Sequence, residues 1–231
     1  SPPVCSRGSE RAQPRYPDAM ARYRDRAEGG RVLAEHLGHL RGTQPLILGM
    51  AGGGVVVAAQ VAASLEGTLA IAVAERFGPP GNPDLTVGAV ASDGIPVVDG
   101  QLVARLGLGP ADLAGEVARG AAAARRRARA LRSRRALRPA GRVVVVVDDG
   151  VAAGLGLRAV LGMVRRARPG GLVCAVPVGL PSTIDVIAAE ADEVVCPLQP
   201  LRFHAVAEWY DEFPEVPDDQ AAAFLGGSAL R

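Results

Sequence analysis

The sequence contains no lysine, and all 26 of its basic residues are arginine. This absence excludes sites that need a lysine amine, such as a Walker A phosphate site, a Schiff base or the phosphate site of a kinase. Because 24 acidic residues oppose the arginines, the formal charge is only +2, which predicts neither a nucleic-acid nor a membrane partner. The arginine bias, with 29 glycines and abundant alanine, is typical of a GC-rich bacterial genome.

Cysteines and long apolar runs are also scarce. Cys5, Cys174 and Cys196 are odd in number and lack metal-ligand spacing, so we expect neither a disulfide framework nor a metal site built from a side-chain cluster. The longest largely apolar stretch, residues 55–65, is too short to span a bilayer. No apolar segment follows the proline-rich start, so a cytoplasmic location is the expectation.

What remains is an ordinary globular composition, with 48% hydrophobic and 22% charged residues among 231. That length suits one large α/β domain with appendages. We therefore predict a flexible arm over residues 1–21, one domain over residues 22–225 and a short tail over residues 226–231.

Apolar runs alternate with helical patterns along this domain. The clearest strand is 142–147, whose consecutive valines are β-branched on both faces, as in the centre of a parallel sheet. Further strands are predicted at 45–50, 69–74, 86–91, 95–98, 172–178 and 193–196. Helices are predicted at 22–40, 55–65, 110–137, about 156–168, 182–190 and 218–225. This alternation predicts βαβ units, and hence a mostly parallel sheet flanked by helices.

Two segments invite a functional interpretation without deciding it. Residues 77–83 are so rich in proline and glycine that they predict a long surface loop, and such loops often carry function. The arginine run within the 110–137 helix is either a polyanion-binding face or a solvated helix surface. The second interpretation is favoured because no aromatic residues are interleaved with the arginines.

The candidate site follows the valine strand. Asp148 and Asp149 stand at its carboxyl end, which is where open parallel sheets bind their ligands. The small residues 150–156 then lead into a helix N-terminus, and such a loop can bind an anion through backbone N–H groups. Carboxylates beside a phosphate loop suit a sugar phosphate, although either acid could instead cap the loop or the helix.

A dinucleotide site is the alternative, because residues 154–159 match GxGxxA. In that fingerprint the first glycine directly follows the strand, and an acid ends the next strand. Here Gly154 comes several residues late, and the next strand ends at Val176, Pro177 and Val178. The pattern therefore disfavours a nicotinamide cofactor.

The stretch VVVVVDDGVAAGLGL, residues 143–157, resembles the phosphoribosyl pyrophosphate (PRPP) signature of type I phosphoribosyltransferases. Four other segments occur in the order found in uncharacterised bacterial phosphoribosyltransferase-domain proteins. They are RYRDRAEGGRVLAEHL (22–37), GMAGGGVVVAAQVA (49–62), ERFGPPGNPDLTVGAV (75–90) and FHAVAEWYDEF (203–213). The resemblance covers about residues 22 to 225.

The resemblance implies a type I phosphoribosyltransferase fold in which the first segment and the tail form a small hood. It also implies transfer of 5-phosphoribosyl from PRPP to a nitrogen acceptor in nucleotide metabolism, with release of pyrophosphate and with Mg²⁺ bound through PRPP. Asp148 and Asp149 would be the catalytic pair that binds the ribose hydroxyls. The 5′-phosphate would lie on Gly150, Val151, Ala152, Ala153, Gly154, Leu155 and Gly156.

By the same resemblance, Ala51, Gly52 and Gly53 would approach the pyrophosphate. A mobile loop over residues 75–84 would close over the reacting centre, with members Glu75, Arg76, Gly81 and Asn82.

Three positions depart from the family pattern. Ala153 and Gly156 stand where the family has threonines, and Ala51 stands where it usually has arginine. A binding or regulatory protein with impaired catalysis is therefore the alternative to an active transferase.

The acceptor side is less defined by the sequence. His204, Trp209 and Tyr210 could line a base-stacking pocket or could anchor the tail on the core. The sequence does not name the acceptor, and a homodimer is compatible with it.

Overall fold

A computed structural model describes residues 22–131 and 138–225. The predicted arm (1–21), the predicted end of the long helix (132–137) and the predicted tail (226–231) lie outside these residues. The strands are β1 (Leu46–Met50), β2 (Thr68–Ala72), β3 (Ala74–Phe77), β4 (Gly88–Ala91), β5 (Pro96–Val98), β6 (Val143–Val147), β7 (Gly171–Ala175) and β8 (Glu193–Val195). The α-helices are α1 (Arg26–His36), α2 (Gly53–Leu65), α3 (Gly100–Arg105), α4 (Pro110–Ala130), α5 (Leu155–Arg166), α6 (Pro181–Ala188) and α7 (Asp218–Leu225).

The larger sheet is parallel throughout, in the order β2-β1-β6-β7-β8. Its central strand is the valine run, as predicted. Val144 and Val146 pack into one core with α5 and α6, whereas Val145 and Val147 pack into a second core with α1 and α2. Because successive side chains of a strand point to opposite faces, this strand needs apolar residues at every position.

The strand order creates a crevice between β1 and β6. The chain leaves β1 toward β2 on one side of the sheet, and it leaves β6 toward β7 on the other side. Ligands of open α/β sheets bind at such a topological switch point. The loops that follow β1 and β6, namely 51–53 and 148–154, therefore flank one crevice.

A second sheet of three antiparallel strands, in the order β3-β4-β5, stands apart from the first. The predicted hairpin of β4 and β5 is confirmed. The prediction that Glu75 and Arg76 belong to a mobile loop is wrong, because both lie in β3 and pair with Val90 and Ala89. The local pattern missed this strand because its pairing partner, β4, comes only after the proline-rich segment. The short helix α3 was also not predicted.

The first segment and the tail lie together, as the predicted hood required. Tyr23 N donates to the carbonyl of Trp209 at 2.9 Å, and Asp211 N donates to the carbonyl of Tyr23 at 2.9 Å. Helix α1 begins only at Arg26, because Asp25 caps it by accepting a hydrogen bond from Glu28 N at 2.7 Å. Within the described residues, no helix is both long and apolar enough to cross a membrane.

Candidate active site

Glycines allow the loop after β1 to approach the acids after β6. A Cβ atom built on Gly53 would lie 2.0 Å from Asp149 Oδ2, and one built on Gly54 would lie 2.8 Å from Asp148 Oδ1. Real Cβ atoms do not come so close to other atoms, so the start of α2 can pack against the acid pair only without side chains at these positions. The glycine-rich turn that the sequence analysis singled out thus directly adjoins Asp148 and Asp149.

Two helix N-termini open at this crevice. Helix α2 follows Gly52, whose φ is +100°, and helix α5 follows Gly154, whose φ is +71°. Neither helix has a side-chain cap or an acidic residue in its first turn. The first N–H groups of each helix, together with the helix dipole, therefore favour an anion. A ligand with two separated anionic groups suits this pair of helix ends.

The loop after Asp149 is held in shape by a neighbouring segment of the chain. Residues 150–156 carry no polar side chain. Val151 N donates to the carbonyl of Val178 at 2.9 Å, and Leu180 N donates back to the carbonyl of Val151 at 2.9 Å. The hydroxyl of Thr183, on α6, donates to the carbonyl of Ala152. Segment 178–183 is therefore the support of the predicted phosphate loop.

The Asp148 side chain is partly buried and folds back on its own loop. Its Oδ1 accepts a hydrogen bond from Asp149 N at 2.9 Å. Burial, and next the charge of Asp149, raise the pKa of Asp148 well above its ordinary value. Arg76 opposes this rise, so its guanidinium on β3 acts electrostatically on the acid pair.

Asp149 is held from three sides. Its Oδ2 accepts a hydrogen bond from Arg26 Nε at 2.7 Å, and the two side chains are 16% and 8% exposed respectively. The Tyr210 hydroxyl donates to the backbone carbonyl of Asp149 at 2.5 Å. Burial raises the pKa of Asp149, and the hydrogen bond from Arg26 counteracts that rise. Asp149 is therefore oriented by the first helix and by the tail together.

The remaining residues of the predicted mobile loop lie farther along the chain or in other pairs. Glu75 forms an ion pair with Arg127 at 3.4 Å. Gly81 has a φ of +82°, and Asn82 N donates to the carbonyl of Pro79 at 3.0 Å. These last two residues form a turn in the loop that joins β3 to β4.

The acceptor-side candidates fall into different environments. His204 is exposed, and Trp209 stacks on Phe203 with 6.2 Å between ring centroids. Tyr210 is buried, and its hydroxyl is already bonded to Asp149. Of the two interpretations that the sequence left open, anchoring of the tail therefore describes the contacts of Tyr210.

Sequence reasoning missed three residues that touch the site: Arg26, Phe213 and Thr183. Arg26 lies within one resembling segment and Phe213 ends another, but neither stands out by residue type or spacing. Thr183 belongs to a helix that no sequence pattern links to the 150–156 loop. Knowledge of which segments pack together is needed to find them.

With this geometry established, comparison with known proteins identifies the class. Residues 23–212 match the family model described as phosphoribosyl transferase domain, and the chain belongs to this family. The predicted type I phosphoribosyltransferase fold is confirmed, and the predicted family is correct.

Individual relatives agree. Over 207 residues the chain is 36% identical to the proteins named "Putative phosphoribosyl transferase" of Mycobacterium tuberculosis strains CDC 1551 / Oshkosh and H37Rv, covering 89% of this chain and 47% of theirs. The chain thus spans about half the length of the curated relatives it matches. The crystal structure of TT1426 from Thermus thermophilus is 39% identical, with a TM-score of 0.75 over 90% of this chain and 99% of that one.

Proposed function

We propose that this protein transfers the 5-phosphoribosyl group of PRPP to a nitrogen acceptor and releases pyrophosphate. One observation carries the proposal: two uncapped helix N-termini, after Gly52 and Gly154, flank the acid pair at the switch point. PRPP has a phosphate at one end, a diphosphate at the other and two hydroxyls between them. This order of groups matches phosphate loop, acid pair and pyrophosphate loop.

In the proposed reaction, the bond between the anomeric carbon and the diphosphate oxygen breaks, and its electron pair leaves with pyrophosphate. The lone pair of the acceptor nitrogen forms the new bond to that carbon, and the nitrogen proton passes to solvent. Positive charge develops on the sugar during bond cleavage. Asp148 and Asp149, bound to the ribose hydroxyls, would stabilise that charge from a fixed position.

Magnesium fits this donor set only as a companion of the substrate. Within residues 22–131 and 138–225 there is no group of three or more His, Cys, Asp or Glu side chains that could hold a metal ion. Mg²⁺ commonly binds through substrate phosphates with few protein ligands. When bound with PRPP at the acid pair, Asp148 and Asp149, it would neutralise charge on the leaving diphosphate.

A second function, binding of PRPP without turnover, has its own support. Residues 150–156 offer a phosphate only backbone donors, since Ala153 and Gly156 carry no hydroxyl. In addition, Asp149 Oδ2 already accepts from Arg26. A regulatory protein would need the affinity of this crevice but not its catalysis.

Calorimetric titration and a turnover assay separate the two functions. PRPP with Mg²⁺ is titrated into the full chain, into Asp148→Asn and into Asp185→Asn, whose exposed carboxylate on α6 is the control. Pyrophosphate release is then measured with purine, pyrimidine and aromatic-amine acceptors. Release that depends on Asp148 supports the transferase, and saturable binding without release supports the second function. Absence of binding contradicts both.

A further inference from the structure

Among residues 22–131 and 138–225, Arg26 is the one charged residue that the fold buries, with 7% of its surface exposed. Burial of a charge is unfavourable unless the charge is paired and hydrogen-bonded. Arg26 meets this requirement at three points. Its Nε donates to Asp149 Oδ2 at 2.7 Å, its Nη1 donates to the carbonyl of Pro214 at 2.5 Å, and its guanidinium carbon lies 3.6 Å from the ring centroid of Phe213.

The guanidinium also adjoins the loop after β1. A Cβ atom built on Gly53 would lie 2.2 Å from Arg26 Nε and 2.7 Å from its Cζ. The loop 51–53 consists of one alanine and two glycines, so it brings no charged side chain of its own. Arg26 therefore places a positive charge directly against a loop that has none.

The charge balance at this point is otherwise negative. Asp148 and Asp149 can together contribute two negative charges, whereas the N-terminus of α2 contributes about half a positive charge. Arg76 is the second nearby cation, but its side chain is exposed on β3 and therefore more strongly screened by water. A diphosphate that approached loop 51–53 would be repelled by the acid pair unless Arg26 neutralised one of the two carboxylates.

We propose that Arg26 is a positioning residue of this site: it fixes the Asp149 carboxylate and supplies, beside Gly53, the positive charge that allows a diphosphate to bind next to two acids. This inference rests on the proposed function, because the diphosphate in question is that of PRPP. It assigns to the first helix a part in ligand binding that no residue of loop 51–53 can perform.

A purely structural role is the competing explanation, since the same contacts join α1 to the tail at Phe213 and Pro214. The two roles differ in their dependence on the ligand. A structural residue would affect every ligand of the crevice alike. A charge placed beside Gly53 should matter most for the group that binds there.

The test compares Arg26→Gln, Arg26→Lys, Asp149→Asn and the double variant Arg26→Gln/Asp149→Asn in the full chain. Arg165→Gln is the matched control, because Arg165 pairs with Asp192 at the far end of α5. Each protein is titrated with pyrophosphate plus Mg²⁺ and separately with ribose 5-phosphate. The melting temperature of each protein is measured in parallel.

Arg26→Gln should weaken pyrophosphate binding by roughly 10- to 100-fold, the effect of one lost charge-assisted interaction. It should weaken ribose 5-phosphate binding much less. Arg26→Lys should recover part of the loss. The double variant should bind pyrophosphate more tightly than Arg26→Gln, because removal of the Asp149 charge restores the balance, and it keeps the test available if Arg26→Gln fails to fold.

Two results would overturn the inference while leaving the proposed function intact. One is an equal loss of affinity for both ligands in Arg26→Gln. The other is a double variant whose melting temperature recovers while its pyrophosphate affinity does not. If the unmodified chain binds neither pyrophosphate nor ribose 5-phosphate, the proposed function is wrong and the inference falls with it.

Discussion

The Tyr210 hydroxyl donates a 2.5 Å hydrogen bond to the backbone carbonyl of Asp149. Tyr210 itself forms a parallel bridge with Tyr23, at the entrance to the first helix. The tail and the first segment therefore meet at the backbone of an acid that follows the central strand. Replacing single groups at this junction tests how strongly the junction controls the acid.

Tyr210→Phe should bind PRPP several-fold more weakly and lose about 1 kcal/mol of folding free energy. The ring keeps its neighbours Tyr23 and Phe213, at 5.6 and 5.2 Å between centroids, so only the hydrogen bond is removed. Tyr23→Phe is the control, since the Tyr23 hydroxyl donates to the carbonyl of Pro177 at 2.9 Å. Titration and thermal unfolding of both variants check this. An equal loss of affinity in the two would show that Tyr210 has no special link to the site.

Thr183→Val should weaken the binding of ribose 5-phosphate by about fivefold to tenfold, whereas Thr183→Ser should bind it almost normally. Valine keeps the shape of threonine but removes the hydroxyl that donates to the carbonyl of Ala152. That carbonyl would then lack its side-chain donor, and loop 150–156 has no polar side chain to replace it. Calorimetry with ribose 5-phosphate is the measurement. Indistinguishable valine and serine variants would contradict this role of the hydroxyl.

Gly156→Thr should bind PRPP about tenfold more tightly than Gly156→Val, because threonine adds a hydroxyl donor at the first turn of α5. There is room for it: a Cβ atom at position 156 would meet only Ala74 Cβ and Met50 Cε, both at 3.8 Å. Valine has the same shape and branching, so it corrects for the replacement of a helical glycine. Equal affinity of the two variants would show that the added hydroxyl does not reach the phosphate.

Asp148→Asn should stabilise the protein at pH 8 and leave its stability almost unchanged near pH 4. Burial and the neighbouring Asp149 raise the pKa of Asp148 in the folded state. The folded protein therefore holds this proton more tightly than the unfolded chain, and the free energy of unfolding falls as pH rises from about 4 through the raised pKa. Asparagine cannot ionise, so it avoids this loss.

Thermal unfolding between pH 4 and pH 8 measures the difference, and Asp218→Asn is a control of opposite sign. Arg127 lowers the pKa of Asp218 through a hydrogen bond and its charge. The Asp218 carboxylate therefore stabilises the fold above its unfolded pKa, and that stabilisation is lost as pH falls through the lowered pKa. Asp218→Asn should thus lower the melting temperature slightly at pH 8. A gain for Asp148→Asn that did not vary with pH would contradict the assigned ionisation.

Local patterns were sufficient for much of the fold. Strand β6 could be predicted because its valines require burial on both faces, and the end of that strand located Asp148 and Asp149. Strand β3 could not be predicted in the same way, because Glu75 and Arg76 pair with residues that lie beyond a proline-rich loop. Pairing across such a loop leaves no periodic signal in either segment.

The sequence by itself determined that the site has no lysine, that loop 150–156 can offer a ligand only its backbone, and that two acids end the most buried strand. Only the tertiary structure decided which groups hold those acids. Arg26 lies 123 positions from Asp149 along the chain, and its pairing exists because α1 and the tail dock together at one edge of the sheet. A buried ion pair depends on this docking, and neither residue type nor spacing records which distant segments will meet.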